Sequence, residues 1–242
     1  MGRQRIPFGG SALQSFMKKI ISFSLWGSVK NYTIGAIRNA ELAPKIYPDW
    51  VCRFYVDPAS VPGEVLNTLV NLGCEVAPMS AGNFTATLWR FLPASDSDVA
   101  LMLSRDTDSR LTERERIAVE EWLASGKSFH IIRDHPDHQY RIMAGMWGCR
   151  CANLRDMKDL IEKAVLEDRR QVDQDFLLKH VYPRVRDDCF IHDEFNIFLD
   201  EVVHVIPHAR YNYEHIGGYV DAYERTSGSH RLALKRWLDI HG

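Results

Sequence analysis

The sequence predicts an α/β sandwich with a mainly parallel central sheet flanked by helices, and three observations predict it. From Lys19 onward, runs rich in β-branched and aromatic residues alternate with segments of helical spacing. The intervening segments are long enough for the right-handed crossovers that join parallel strands. No repeat or low-complexity linker divides the 242 residues, 45% of them hydrophobic, so one domain with a sizeable core is the economical reading.

Each element follows from its residues. "KIISFSLWG" reads as a first strand ending at Gly27, and "YTIGAIRNAELAP" as a helix stopped by Pro44. "WVCRFYVD" is a second strand. "VPGEVLNTLVNLG" is a helix with Val65, Leu66, Leu69 and Val70 on one face and Gly73 as its stop. "CEVAPM" is a third strand, "TATLWRFL" a short helix and "DVALMLS" a fourth strand. Thr112 and Glu115 form a T-x-x-E capping box that opens a helix through Val119, Trp122 and Leu123, ended by Gly126. "SFHII" gives a fifth strand. "NLRDMKDLIEKAVLEDRR" reads as an amphipathic helix through Leu154, Met157, Leu160, Ile161, Ala164 and Val165. A short helix near "DQDFLLKH", short strands at "FIHD" and "VVHVI", and a basic amphipathic helix at the C-terminus complete the pattern.

Composition removes several classes of function. A net charge of −2 gives no general attraction for nucleic acid or an anionic membrane surface. Five cysteines without a secreted spacing read as reduced thiols in a cytoplasmic protein, peripheral at most to the inner membrane face. Cys149-x-Cys151 is too short for a zinc knuckle. No apolar run reaches the roughly 20 residues of a membrane span. "MKKIISFSLWG" opens like a signal peptide, but its apolar stretch stops early, so Met17 reads as a natural start and residues 1–16 as an upstream extension.

The chemistry is expected at the carboxyl ends of the strands, where open parallel sheets bind ligands. "LSRDTDSRL" places Asp106 and Asp108 there. On extended backbone they would share a side, and two charges about 4 Å apart repel by roughly 4 kcal/mol at an effective dielectric near 20. Either the flanking Arg105 and Arg110 neutralise them, or a divalent cation such as Mg²⁺ or Mn²⁺ does so while bridging a diphosphate. Asp173 in "VDQDFLL" shares a helical arc with Phe176 and Leu177, so it is either half of a buried pair with Arg169 or Arg170, or a group facing a ligand. His135 and His138 in "RDHPDHQY" read as surface histidines.

The ordered set "LSRDTDSRLTERERIAVEEWLASGKSFHIIRDHPDH" and "IMAGMWG", with "SFSLWG", "DQDFL", "HD" and "YEHIGGYVD" around it, resembles GT-A-type glycosyltransferases. It is especially similar to the capsular-polysaccharide-biosynthesis type, over about residues 17–225. The resemblance implies a GT-A-like, Rossmann-like sandwich over residues 17–242, with a nucleotide-binding half (17–110) and a metal and acceptor half (111–242). It implies a nucleotide sugar donor, a glycan or lipid-linked acceptor, and Mn²⁺ or Mg²⁺ as cofactor. Asp106 and Asp108 match the metal- and ribose-binding acids, and His192 of "FIHDEF" is the candidate third ligand; a histidine capping a strand beside Asp193 is the other reading. Ser24, Leu25 and Trp26 match the nucleobase site, and Arg90 and Arg105 the basic positions beside the nucleotide. Asp134 is the candidate for binding sugar hydroxyls or, in an inverting enzyme, for taking the acceptor proton as base. Trp147, between Gly145 and Gly148, either presents a flat face to a sugar or packs in the core, the commoner fate of a tryptophan. Asp173 and Gln174 match the segment that meets the reacting sugar in retaining galactosyltransferases of the lipooligosaccharide type. The alternatives are a metal-dependent phosphohydrolase, in which several histidines would gather on the metal, and a non-catalytic nucleotide- or glycan-binding member of the fold.

Overall fold

A computed structural model describes residues 17–80 and 82–241; the expected extension over residues 1–16 lies outside the described residues. Continuous burial on both faces builds the first two strands, β1 (Lys18–Leu25) and β2 (Val51–Val56), and the short, half-buried β3 (Glu75–Pro78) follows. Between them run α1 (Lys30–Ile46) and α2 (Gly63–Asn71). A 3-10 segment, Phe84–Ser95, leads to β4 (Val99–Ser104), then α3 (Glu113–Ser125), β5 (Phe129–Arg133) and β6 (Trp147–Arg150). The second half continues with α4 (Met157–Lys163) and α5 (Val172–Phe176), which runs through a π-type turn into α6 (Tyr182–Val185). β7 (Cys189–Asp193), β8 (Val203–His204) and α7 (Gly228–His241) close the order.

The strands form one eight-stranded sheet, in the order β3-β2-β1-β4-β6-β5-β7-β8. Every pairing is parallel except those of β6, which is antiparallel to both β4 and β5. Apolar side chains bury both faces. Ile20, Phe91, Met102 and Trp147 belong to one cluster, and Ile21, Phe23, Phe54 and Trp122 to the other. Phe23 stacks on Phe54 with ring centroids 4.7 Å apart. Among the described residues, no helix is long and apolar enough to cross a membrane.

Several elements depart from the sequence reading. Pro44 lies inside α1, because a proline in the last turn removes only one helical hydrogen bond. Val70 is 58% exposed, so the buried stripe of α2 is Val65 and Leu69. The amphipathic helix from Asn153 shrinks to the seven residues of α4, and Val165 is 96% exposed beyond its end. β6 was not expected: the chain doubles back after β5 and inserts "WGCR" between β4 and β5.

The capping box on α3 is only half formed. Thr112 Oγ1 accepts from the Glu115 N–H, but the Glu115 carboxylate turns inward. There it accepts from Arg105 Nε at 2.7 Å and from the Tyr47 hydroxyl at 2.9 Å. The Arg105 and Glu115 side chains are each 2% exposed, so neither charge has water to fall back on. Breaking such a buried pair from one side typically costs about 3–5 kcal/mol. Glu115→Ala is expected to lose that much stability in urea unfolding at pH 7; a loss under about 1 kcal/mol would contradict the burial argument.

Candidate active-site cleft

The carboxyl ends of β1 and β4 open onto a cleft of about 600 Å³, the size of a small-molecule site. β1 delivers Ser24, Leu25 and Trp26 to its wall, α1 delivers Tyr32, and the 3-10 segment delivers Phe84, Thr87 and Arg90. The loop after β4 contributes Asp106, Thr107 and Asp108. Facing them are His138, Met143–Met146, the start of α5 with Asp173 and Gln174, and Gly217.

The acid loop is a turn rather than the extended backbone the spacing suggested. β4 stops at Ser104, and the Ser109 N–H and hydroxyl both bond the Asp106 carbonyl. Asp106 and Asp108 nonetheless reach the same cleft, because neighbouring groups fix the turn. Asn39, fully buried on α1, donates from Nδ2 to the Ser109 carbonyl at 2.9 Å and accepts the Leu111 N–H on Oδ1 at 3.0 Å. Two glycines leave room for the loop. A Cβ at Gly35 would lie 1.9 Å from the Thr107 carbonyl oxygen, and one at Gly145 would lie 1.8 Å from Asp106 Oδ2.

Arg90, 5% exposed, is the cation of the cleft. Its Nη1 bonds Asp106, and its Nη2 donates to Asp173 Oδ2 at 2.6 Å. Its backbone N–H donates to Ser24 Oγ at 3.1 Å, which joins the end of β1 to the same unit. The partner of Asp173 is therefore Arg90 rather than Arg169 or Arg170; Arg169 pairs with Asp175 and Glu167 at the surface. Gln174 Oε1 accepts the Ala144 N–H at 2.7 Å and anchors the opposite wall. Among the described residues, Asp108 has no such direct pair. Burial and the charge of Asp106 push its carboxyl up to about 6.

Four expected site residues lie outside the cleft lining. Arg105 is spent on Glu115 beneath the sheet end. Trp147 is 1% exposed and packs edge-on against Phe91 at 5.5 Å, so its ring is core and offers no sugar platform. Asp134 is fully buried, accepting from Arg114 Nη2 at 3.0 Å, Arg210 Nη2 at 2.6 Å and the Ile216 N–H at 2.8 Å. So enclosed, it is not placed to take an acceptor proton; it fastens the C-terminal segment to β5. His192 is fully buried on β7, bonded through Nδ1 to His130 at 2.8 Å and through Nε2 to Glu121 at 2.9 Å. It is neither beside the acids nor free to bind a metal with them.

The sequence reading missed His138, Tyr32, Arg170 and Gly217 as cleft residues. His135 and His138 are 1% and 8% exposed rather than on the surface. Their rings gather with those of His215 and His230, at centroid separations from 4.4 to 5.7 Å. Among the described residues, no group of three or more His, Cys, Asp or Glu side chains is arranged to hold a metal, so this cluster does not give the multi-histidine centre that the phosphohydrolase reading called for. The signal for Gly217 was present in "YEHIGGYVD": the segment returns to the acid loop, where the Val220 N–H donates to the Asp108 carbonyl at 2.7 Å.

No protein-family model and no curated protein sequence matches the chain. Solved structures do. S. aureus TarS 1-349 superposes with a TM-score of 0.53 at 10% identity, covering 74% of this chain and 58% of that one. The fold is that of the GT-A glycosyltransferases. Its GT-A neighbours also include a glycosyltransferase involved in the glycosylation of the major capsid of PBCV-1 (14% identity, 73% of this chain and 81% of that one, TM-score 0.47). A third is Mycobacterium tuberculosis glucosyl-3-phosphoglycerate synthase, solved with Mn²⁺, UDP and glucosyl-3-phosphoglycerate (11% identity, 72% and 69%, TM-score 0.46). At these identities the likeness is one of fold, and the GT-A cleft here has to be read from its own residues.

The raised carboxyl of Asp108 has a consequence for stability. Its folded value, about 6, lies above the ordinary 3.8, so the fold favours the protonated form. That stabilisation is fully present below the unfolded value and is lost as pH rises through about 6. In metal-free protein, Asp108→Asn, which cannot ionise, is expected to be more stable than wild type by about 1–2 kcal/mol at pH 7.5 and no more stable near pH 4. Equal offsets at both pH values in chemical denaturation would contradict the assignment.

Proposed function

We propose that this protein is a metal-dependent glycosyltransferase that moves a sugar from a nucleotide diphosphate sugar to a glycan or lipid-linked acceptor. One observation carries the reading: on a GT-A fold, Asp106, Asp108 and Asp173 converge on one strand-end cleft, with Arg90 the only buried cation in its lining among the described residues. Arg90 pairs with Asp106 and Asp173 and leaves Asp108 aside, and burial, with the charge of Asp106 second, raises the carboxyl of Asp108. S. aureus TarS 1-349 has also been solved in complex with UDP, at a TM-score of 0.50 and 10% identity, which supports a nucleotide as the occupant.

The residues suit a hard divalent cation. Mg²⁺ is commonly held by one or two carboxylates together with substrate phosphates rather than by a full protein cage. Asp106 and Asp108 would supply those carboxylates, so the reading does not depend on His192 as a third ligand. When bound, Mn²⁺ or Mg²⁺ supplies Lewis-acid stabilisation of the charge that develops on the diphosphate as the anomeric carbon–oxygen bond breaks. The chain's own groups do the rest. Trp26 and Tyr32, on the β1 and α1 wall, flank the nucleoside end. Arg90 holds Asp106 and Asp173 in fixed positions, and Asp173 and Gln174 border the transferred sugar. Arg170, which lines the cleft and forms no ion pair among the described residues, adds a cation for the departing diphosphate.

Melting scans with nucleoside diphosphates and nucleotide sugars, with and without Mn²⁺, test this. A ligand at 100 times its dissociation constant stabilises the fold by about 2.7 kcal/mol, and a Mn²⁺-dependent shift that disappears in a folded Asp108→Ala variant is expected. No shift with any nucleotide would remove the reading. Asp173→Asn is expected to lower turnover at least about tenfold while changing nucleotide affinity little. Normal turnover per folded molecule with a lowered melting temperature would instead make Asp173 a structural partner of Arg90.

A further inference from the structure

The D-H-P-D-H turn after β5 holds two histidines in the same protonation form by the same device. His135 Nδ1 accepts the Asp137 N–H at 3.1 Å, and His138 Nδ1 accepts the Asp134 N–H at 3.0 Å. A neutral imidazole has one lone pair and one N–H. With Nδ1 committed as acceptor, the proton of each ring sits on Nε2. The rings are neutral: burial, and the neighbouring rings and Arg210, hold both below the ordinary histidine range, His138 well below it.

The two then differ in what Nε2–H meets. His135 donates it to the His230 carbonyl oxygen at 2.9 Å, and its hydrogen bonding is complete. His138 Nε2 has no hydrogen-bond partner among the described residues, although the side chain is 8% exposed and lines the cleft. Nε2 is not sealed among the buried atoms: it is accessible on a cleft-lining residue, so its N–H is free to donate to whatever occupies the cleft. The fixed tautomer also decides what it can bind. A metal needs the Nε2 lone pair, which this tautomer lacks, whereas an oxyanion, which only accepts, complements a group that only donates.

We propose that His138 is a ligand-binding residue that donates its Nε2–H to an anionic oxygen of the nucleotide diphosphate. The inference rests on the transferase reading of the same cleft and adds to it a neutral donor that works without the metal. Asp134 serves both ends of this arrangement: its carboxylate fastens the C-terminal segment and its backbone N–H sets the tautomer of His138.

The test separates bracing from binding. An asparagine at this position can accept the Asp134 N–H but presents no donor where Nε2 stood, while a glutamine places an amide N–H near the Nε2 position and gives up the brace. UDP with Mg²⁺ and uridine serve as probes in calorimetry. Mg²⁺ is used because it is diamagnetic, so that nitrogen-15 histidine spectra can be recorded on the same samples. The expected result is a wild-type Nε2–H tautomer whose proton resonance moves with UDP and stays with uridine. His138→Asn should weaken UDP about tenfold or more with uridine unchanged, and His138→Gln should lie within a few-fold of wild type. A wild-type Nδ1–H tautomer overturns the proposal, whether or not the variants fold. So does an Asn variant that binds UDP as tightly as wild type, which leaves the transferase reading standing. Wild-type protein that binds no UDP overturns that reading and this proposal with it.

Discussion

The cleft depends on one buried guanidinium. Arg90 is taken out of water at the end of the sheet, and the cost of doing so is offset only because two carboxylates meet it there. One carboxylate belongs to the loop after β4 and the other to α5, 67 residues further on. The Arg90 backbone N–H bonds Ser24 at the end of β1. A single residue thus ties together the first strand, through its backbone N–H, and the acid loop and the second half of the molecule, through its side chain. Asp173 acquires its place in the cleft through this contact, and Asp106 is held where Gly145 leaves room for it.

Asp108 is left as the group whose charge is not met. Its neighbour Asp106 has Arg90, while Asp108 is burdened by burial and by that neighbour. The electrostatics of the cleft are therefore incomplete, and that is the observation behind the proposed divalent cation and diphosphate. Outside the cleft, at the end of β5, the balance is the reverse. Asp134 has Arg114, Arg210 and the Ile216 N–H and is complete without a ligand. The two aspartates sit at comparable strand ends, and their partners, not their positions, give them different roles.

Much of this was legible in the sequence, and the exceptions have physical causes. Strand and helix alternation placed β1 to β5, because residues buried on both faces leave long apolar runs. The position of Asp106 and Asp108 at a strand end was readable from "VALMLS" directly before them. The roles of Arg105, Asp134, Trp147 and His192 were not. Each is a polar or amphipathic residue in a motif-rich stretch, and its fate was decided by a partner distant in sequence: Glu115, Arg210, Phe91 and Glu121. β6 was hidden for a different reason. Four residues with two small or polar members carry no period, and pairing with β4 and β5 alone makes them a strand. His138 looked exposed because a proline-containing turn usually is, and the C-terminal segment that covers it is recognisable only in three dimensions.

The most direct test of the central claim is a crystal structure of the protein with UDP and Mn²⁺, using the anomalous signal of manganese to locate the ion. The account predicts one ion against Asp108 and Asp106, bridging to the diphosphate, with the nucleoside along the Trp26 and Tyr32 wall. Manganese or nucleotide bound away from Asp106 and Asp108, with those carboxylates still holding only Arg90 and water, would contradict it.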